Sequence, residues 1–199
     1  MKLIFATHNE GKLREASDIL GPGFELVSAR QAGVATDIEE TGSTLRENSL
    51  IKADCLYKLS GADCFADDTG LEVDALDGAP GVYTARYAGE GCDFEANMDK
   101  LLSELAKCPE KGRKARFRCV VTLILKGERH FFDGVLEGSI ALERSGCKGF
   151  GYDPVFVPDC FPDKTLADLG EEVKNGISHR YVALNAMRAF IQSRGPEGL

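Results

Sequence analysis

The sequence predicts an α/β protein with a mixed central sheet flanked by helices, arranged as two lobes around a cleft. Three observations predict it. The chain opens strand, helix, strand, the order that builds parallel sheet. Residues 115–142, "ARFRCVVTLILKGERHFFDGVLEGSIAL", read as two long strands joined by a turn at Lys126, Gly127 and Glu128. The remaining helical segments carry clear start signals and alternate with short strands.

In chain order, residues 2–6 form an apolar run suited to a buried strand. A helix should follow, with Leu13, Ala16, Ile19 and Leu20 on one face and Gly21 ending it. Residues 24–29, "FELVSA", give the second strand. Thr44 with Glu47 three residues on is a capping box, which starts a helix running to about Ser60 before Gly61. "DCFA" and "LEVDAL" read as short strands separated by a polar turn, "DDTG". "DGAPGVYTARYAGEG" is a Gly- and Pro-rich ordered loop. Asp93 caps a helix with Phe94, Met98, Leu101, Leu102 and Leu105 on one face. After the long strand pair, "GFGYDPVFVP" is a glycine loop entering a strand. A last helix runs from about His179 to Gln192, with Val182, Leu184, Met187, Phe190 and Ile191 apolar. No repeat or linker interrupts this pattern, which suits a single domain spanning 1–199.

Bulk properties narrow the function. With 43% hydrophobic and 28% charged residues the composition is that of a globular protein. No apolar run is long enough to span a bilayer, and the N-terminal "LIFA" is too short for a signal peptide, so a cytoplasmic protein without membrane partners is expected. A net charge of −8 argues against broad nucleic-acid binding but leaves room for a small anion that arrives with a cation. The seven cysteines are widely spaced without C-x-x-C, which suits neither a disulfide framework nor a zinc site; Cys119 in "CVVTLIL" reads as core. Three histidines leave little for a histidine-rich metal centre.

Five groups could carry chemistry. "ATHNEGKL" nearly matches a phosphate-cradling P-loop, but Ala6 replaces its first glycine and Leu13 its magnesium-holding hydroxyl. N–H groups at a helix start attract anions, Lys12 adds a full charge, and Asn9 can cap the helix or bind a ligand. Asp37, Glu39 and Glu40, and then Asp67 and Asp68, make two acidic turns. They are either magnesium ligands or ordinary turn residues; after a strand, one of Asp67 and Asp68 should point inward and the other outward. In "KGFGYDP" the glycines flanking Phe150 allow a flat ligand to approach, with Phe150 or Tyr152 stacking on it. In "EVKNGISHR", Ser178 can cap the last helix. Arg180 then sits where a cation opposes the helix dipole, a small misfit that a ligand would explain; Lys174 adds a second cation. Lys52, on the helix after the acidic turn, can reach phosphate or solvent.

The order of these motifs is more specific than any one of them. T-x-N-x-x-K, EETG, ADD[ST]G, GAPG-x-Y-[ST]-ARY, GFGYDP and ISHR succeed one another from Lys2 to about Ile191. The chain thereby closely resembles the inosine triphosphate pyrophosphatase family, which hydrolyses non-standard purine nucleoside triphosphates. The resemblance implies conversion of ITP, dITP or XTP to the monophosphate and pyrophosphate in a substrate cleft, dependence on Mg²⁺, and a homodimer. It assigns Thr7, His8, Asn9, Glu10, Gly11 and Lys12 to the triphosphate, with Lys52 as helper. Asp68 matches the general base and a metal ligand, and Glu39 another metal position that Glu40 is close enough to share. Thr69 replaces a more usual serine and keeps a hydroxyl beside the phosphates. Phe150, Gly151, Tyr152, Asp153, Lys174, His179 and Arg180 match base recognition, with donors from Arg180 or His179 reading the purine 6-carbonyl. A binding module without turnover would have little need of Asp68 and Glu39 beside phosphates. A pyrophosphatase for modified pyrimidine nucleotides is disfavoured by "ISHR" together with "GFGYDP".

Overall fold

A computed structural model describes residues 1–34 and 38–194, except for the side chain of Glu171. Asp37 of the first acidic turn lies outside the described residues. The elements are β1 (Lys2–Phe5), α1 (Glu10–Leu20), β2 (Glu25–Ser28), α2 (Leu45–Ser60), β3 (Cys64–Val73), β4 (Pro80–Gly81), α3 (Phe94–Ala106), β5 (Lys114–Leu125), β6 (Glu128–Ile140), β7 (Phe156–Pro158), α4 (Glu171–Ile177) and α5 (His179–Ser193). The sheet order is β2-β1-β3-β5-β6-β7, with β4 beside β3. β1 pairs in parallel with β2 and β3, while β4 pairs antiparallel with β3 and β7 with β6, so the sheet is mixed as expected. Among the described residues no helix is long and apolar enough to cross a membrane.

The chain forms two compact units, and strands β3, β5 and β6 each pass from one to the other. Unit 1 is drawn from Met1–Asp68, Cys119–Gly134 and His179–Leu199. Strand alternation gives it two cores. Leu3, Phe5, Phe65 and Cys119 pack with Ala16, Ile19 and Leu20 of α1 and Ala183, Leu184 and Met187 of α5. Ile4, Cys64 and Ala66 pack instead with Ala53 and Leu56 of α2. Unit 2 comprises Thr69–Arg118 and Val135–Ser178. Its core joins Leu71 and Val73 of β3 to Met98, Leu101 and Leu105 of α3 and to Tyr152, Val155 and Phe156.

Local chemistry sets the boundaries. Thr44 and Glu47 complete the capping box, and Gly61 ends α2 in the left-handed conformation. Asp93 accepts from Glu95 and Ala96 N–H to start α3. Between β5 and β6, Lys126 (φ 50°) and Gly127 (φ 83°) make a two-residue hairpin turn, and Lys126 N–H donates to Asp63 Oδ1 at 2.7 Å.

Three expectations need correction. "ADDTG" is not a turn: β3 runs unbroken through it, because the aspartates find cationic partners inside the protein. The helix α4 falls where the sequence suggested only a basic approach to α5; its Gly176 and short length hide it. The apolar faces of α3 and α5 also shift, since Phe94 is 46% and Val182 42% exposed while His179 and Arg180 are buried.

Candidate functional site

In unit 1 the turn after β1 delivers a helix start to a cavity of about 460 Å³ lined by Thr7, His8, Asn9, Lys12, Glu40, Lys52 and Asp67, with Ala6, Ala29 and Ile38. Asn9 is the α1 cap: its Oδ1 accepts from Gly11 N–H at 2.8 Å and Lys12 N–H at 3.1 Å. Such a cap is worth about 1 kcal/mol. A Cβ on Gly11 would lie 3.0 Å from that oxygen, so glycine keeps the cap close. Thr7 is buried and its hydroxyl oxygen accepts from Asn9 N–H at 3.1 Å. His8 and Glu10 are exposed.

Lys12, in the first turn of α1, donates to both oxygens of Asp67 at 3.1 and 3.2 Å. Arg180 Nε donates to Asp67 Oδ2 at 3.0 Å, and its Nη1 donates to Glu15 Oε2 at 2.6 Å. On the other face of β3, Lys52 donates to Asp68 Oδ1 at 2.9 Å and to Glu40 Oε1 at 2.7 Å. Asp67 and Asp68 do face opposite ways, but both are buried, at 2% and 8% exposure. The expected outward-facing member does not exist, because each face of the strand has its own cation here.

These neighbours give the adjacent aspartates opposite acidities. Burial pushes Asp67 up, but Lys12, then Arg180 and Lys52, override it and hold the carboxyl well below the usual range. Burial also raises Asp68; Lys52 opposes this, Glu40 and Asp67 reinforce it, and the net shift is upward. Lys52, penalised by burial, is nonetheless raised by Asp68, Asp67 and Glu40, so it stays charged.

The geometry distinguishes residues that the sequence grouped together. Glu39 is exposed, and the carboxylate held against Lys52 and Asp68 is that of Glu40. Arg180 is no misfit at a helix start: Asp67 and Glu15 compensate its charge and occupy two of its donors. Glu15 was missed entirely. Its signal was its place one helical turn after Lys12, which puts both on one face of α1. His179 begins α5 buried, where a Cβ on Gly134 would come within 2.0 Å of its carbonyl oxygen. The glycine thus lets β6 and α5 touch.

Unit 2 holds the second group. Phe150 is 57% exposed, with Lys174 Nζ 4.5 Å from its ring centroid. Asp153 is buried, and its Oδ2 accepts from Phe150 N–H at 2.9 Å and from Lys174 Nζ at 2.5 Å. Gly149 makes room for this carboxylate, since a Cβ there would lie 2.1 Å from Asp153 Oδ2. Gly151 takes φ 63° between them. Tyr152 is not a stacking surface: it is 3% exposed, and its hydroxyl donates to Thr84 carbonyl oxygen at 3.0 Å. Thr69 Oγ1 is buried and, among the described residues, has no hydrogen-bond partner. An orphaned hydroxyl costs about 1–3 kcal/mol, which a ligand oxygen would recover. All seven cysteines are free, and burial pushes the Cys64 thiol up to about 12.

The chain is similar to known proteins over nearly its whole length. The model of the Ham1 family matches residues 3–190. A dITP/XTP pyrophosphatase of Porphyromonas gingivalis is 51% identical over 190 residues, covering 96% of this chain and 97% of its own. One from Christiangramia forsetii is 48% identical over 191 residues, covering 96% and 99%. The structure of a HAM1 protein from Coxiella burnetii superposes with a TM-score of 0.90 at 37% identity, covering 97% of this chain and 99% of that one.

Proposed function

The chain belongs to the Ham1 family, and from that premise we propose that it hydrolyses non-standard purine nucleoside triphosphates (ITP, dITP and XTP) to the monophosphate and pyrophosphate. The observation that carries this reading is the double clamp in unit 1. Two lysines meet a capped helix start at one cavity, each already gripping a buried aspartate of β3. Helix N–H groups and lysines suit phosphate oxygens. The names of the relatives supply dITP and XTP as substrates, and the resemblance of the motifs adds ITP.

Lys12, Lys52, Thr7 and the loop of His8, Asn9, Glu10 and Gly11 take the triphosphate, and Thr69 offers its orphaned hydroxyl. Asp68 orients a water for in-line attack on the α-phosphorus. The new bond is from water oxygen to phosphorus, and the bond to the bridging oxygen of the β-phosphate breaks. One water proton passes to Asp68, whose raised pKa suits a base better than an ordinary carboxylate. Phe150 stacks on the purine, with Lys174 and Asp153 fixing the ring from behind. His179 and the guanidinium protons of Arg180 not given to Asp67 and Glu15 read the 6-carbonyl. An amine there would face a donor, and such mispairing discriminates strongly.

The residues fit Mg²⁺. Glu40 and Asp68 offer hard oxygens to one cation position, marked by Lys52, and magnesium needs only one or two carboxylates besides phosphate and water. Glu39, adjacent in the chain, could join them. Bound Mg²⁺ would neutralise phosphate charge and polarise the phosphoryl oxygens. A homodimer is part of the same reading.

The test is pyrophosphate release from ITP, dITP, XTP, GTP and ATP, with and without Mg²⁺. Pyrophosphate should appear from the first three, magnesium-dependently, with ATP far slower. Release of orthophosphate alone would overturn the reading.

A further inference from the structure

Against the loop that carries the Phe150 platform of unit 2 lies a short turn, residues 165–168, for which the reaction has no use. Asp168 Oδ2 accepts from Thr165 N–H and from the Thr165 hydroxyl, both at 2.9 Å. Its Oδ1 accepts from the Ser145 hydroxyl at 3.0 Å. Thr165 Oγ1 also lies 2.9 Å from Ser145 carbonyl oxygen. The turn therefore grips the start of the loop that carries Phe150.

It grips the end as well. Ala167 N–H donates to Asp153 carbonyl oxygen at 3.1 Å, and Ala167 carbonyl oxygen accepts from Lys148 N–H at 3.3 Å. Gly146 seats the loop on the turn: its φ is +78°, and a Cβ would fall 2.4 Å from the Ala167 carbonyl carbon. Just past Asp168 begins α4, which carries Lys174. One turn thus fixes both the loop bearing Phe150 and Asp153 and the helix bearing their cation.

We propose that Asp168 is a positioning residue for nucleobase binding, the centre of a clasp with Thr165 and Ser145 that holds the Phe150 platform in place. This rests on the reading of Phe150 and Lys174 as the purine site. The argument is one of restraint. The Phe150 ring is 57% exposed and meets Phe94 at a centroid distance of 6.5 Å and Lys174 at 4.5 Å, while the backbone that carries it is held by Asp153 and by the clasp. Loosening the clasp weakens base contacts in the ground and transition states alike, which raises KM and leaves kcat. Asp168 is held below the usual carboxylate range, first by the Thr165 backbone N–H, so the clasp stays charged at neutral pH.

The experiment measures kcat and KM for ITP in the wild type, Asp168→Ala, Ser145→Ala and Ser145→Thr, alongside amide hydrogen exchange of residues 148–153. Loss of these hydrogen bonds should raise KM about tenfold in the two alanine variants, with kcat within about twofold. Ser145→Thr, which keeps the hydroxyl, should stay near wild type. Exchange at 148–153 should quicken in the alanine variants while unit 1 holds its protection. Unchanged KM, or a fall in kcat at constant KM, would overturn the proposal. Should Asp168→Ala fail to fold, the Ser145 pair decides in the same way. If the wild type does not hydrolyse ITP, the reading of the site fails. The exchange arm then judges the clasp alone, and unaltered protection of 148–153 refutes it.

Discussion

In unit 1 three cations, Lys12, Lys52 and Arg180, are already matched by four carboxylates, whereas in unit 2 the candidate ligand surface is an exposed ring backed by one ion pair. The first arrangement is electrostatic and centred on two buried aspartates in the interior of β3. The second is a stacking surface held by backbone hydrogen bonds. The contrast teaches how each can be tested. Removing one partner of a buried pair costs about 3–5 kcal/mol, so alanine variants in unit 1 confuse folding with function, and isosteric changes are needed there. Phe150 is 57% exposed and its ring meets Phe94 and Lys174, so its truncation removes far less buried structure.

The largest effect should come from Asp68→Asn. It keeps the shape and an acceptor for Lys52 but removes the base, so kcat for ITP should fall by about 10²–10⁴ while the fold persists. Near-normal turnover in a folded variant would take Asp68 out of the mechanism. Phe150→Ala should act on the other side of the contrast. Base stacking on an aromatic is worth about 1–3 kcal/mol, so KM should rise roughly tenfold or more with kcat nearly unchanged. A fall in kcat with KM unchanged would mean that the ring acts in the transition state, and the division of labour between the units would not hold.

Elements with strong local signals were legible in the sequence. The Thr44–Glu47 box, the Asp93 cap and the hairpin at Lys126 and Gly127 are decided by neighbours in the chain, and each stands where it was expected. So is Asn9, whose cap role was one of two readings. What failed depends on distant partners. "ADDTG" looked like a turn because two aspartates and a glycine favour one, yet Lys12, Lys52 and Arg180 make it the interior of a strand. Nothing local in Glu39-Glu40 says which carboxylate Lys52 will meet. Tyr152 and Phe150 looked equivalent as stacking residues until Thr84 claimed the tyrosine hydroxyl. The resemblance named whole segments, and the geometry separates the residues within them into those that line the cavity or stand exposed and those buried in support.

The smallest effect is on acid stability rather than turnover, and it tests unit 1 alone. Asp67 and Asp68 are adjacent, yet their cationic neighbours differ. Asp67 has a folded pKa below its unfolded value of about 3.9, so the unfolded chain takes up its proton first. Its contribution to stability is complete above that value and is lost as pH falls below it toward the depressed folded pKa. Asp68 is raised, so the folded state takes up its proton first, and between the unfolded pKa and the raised one acidification favours the fold. In metal-free protein, carboxyl carbon NMR shifts should therefore show Asp68 protonating at higher pH than Asp67. Asp67→Asn should flatten the loss of stability below about pH 4, and Asp68→Asn should remove the opposing gain above it. If the two titrate together, or in the reverse order, then Lys12 and Arg180 are not clamped on Asp67 in solution. The buried network of unit 1 would then form only with its ligand.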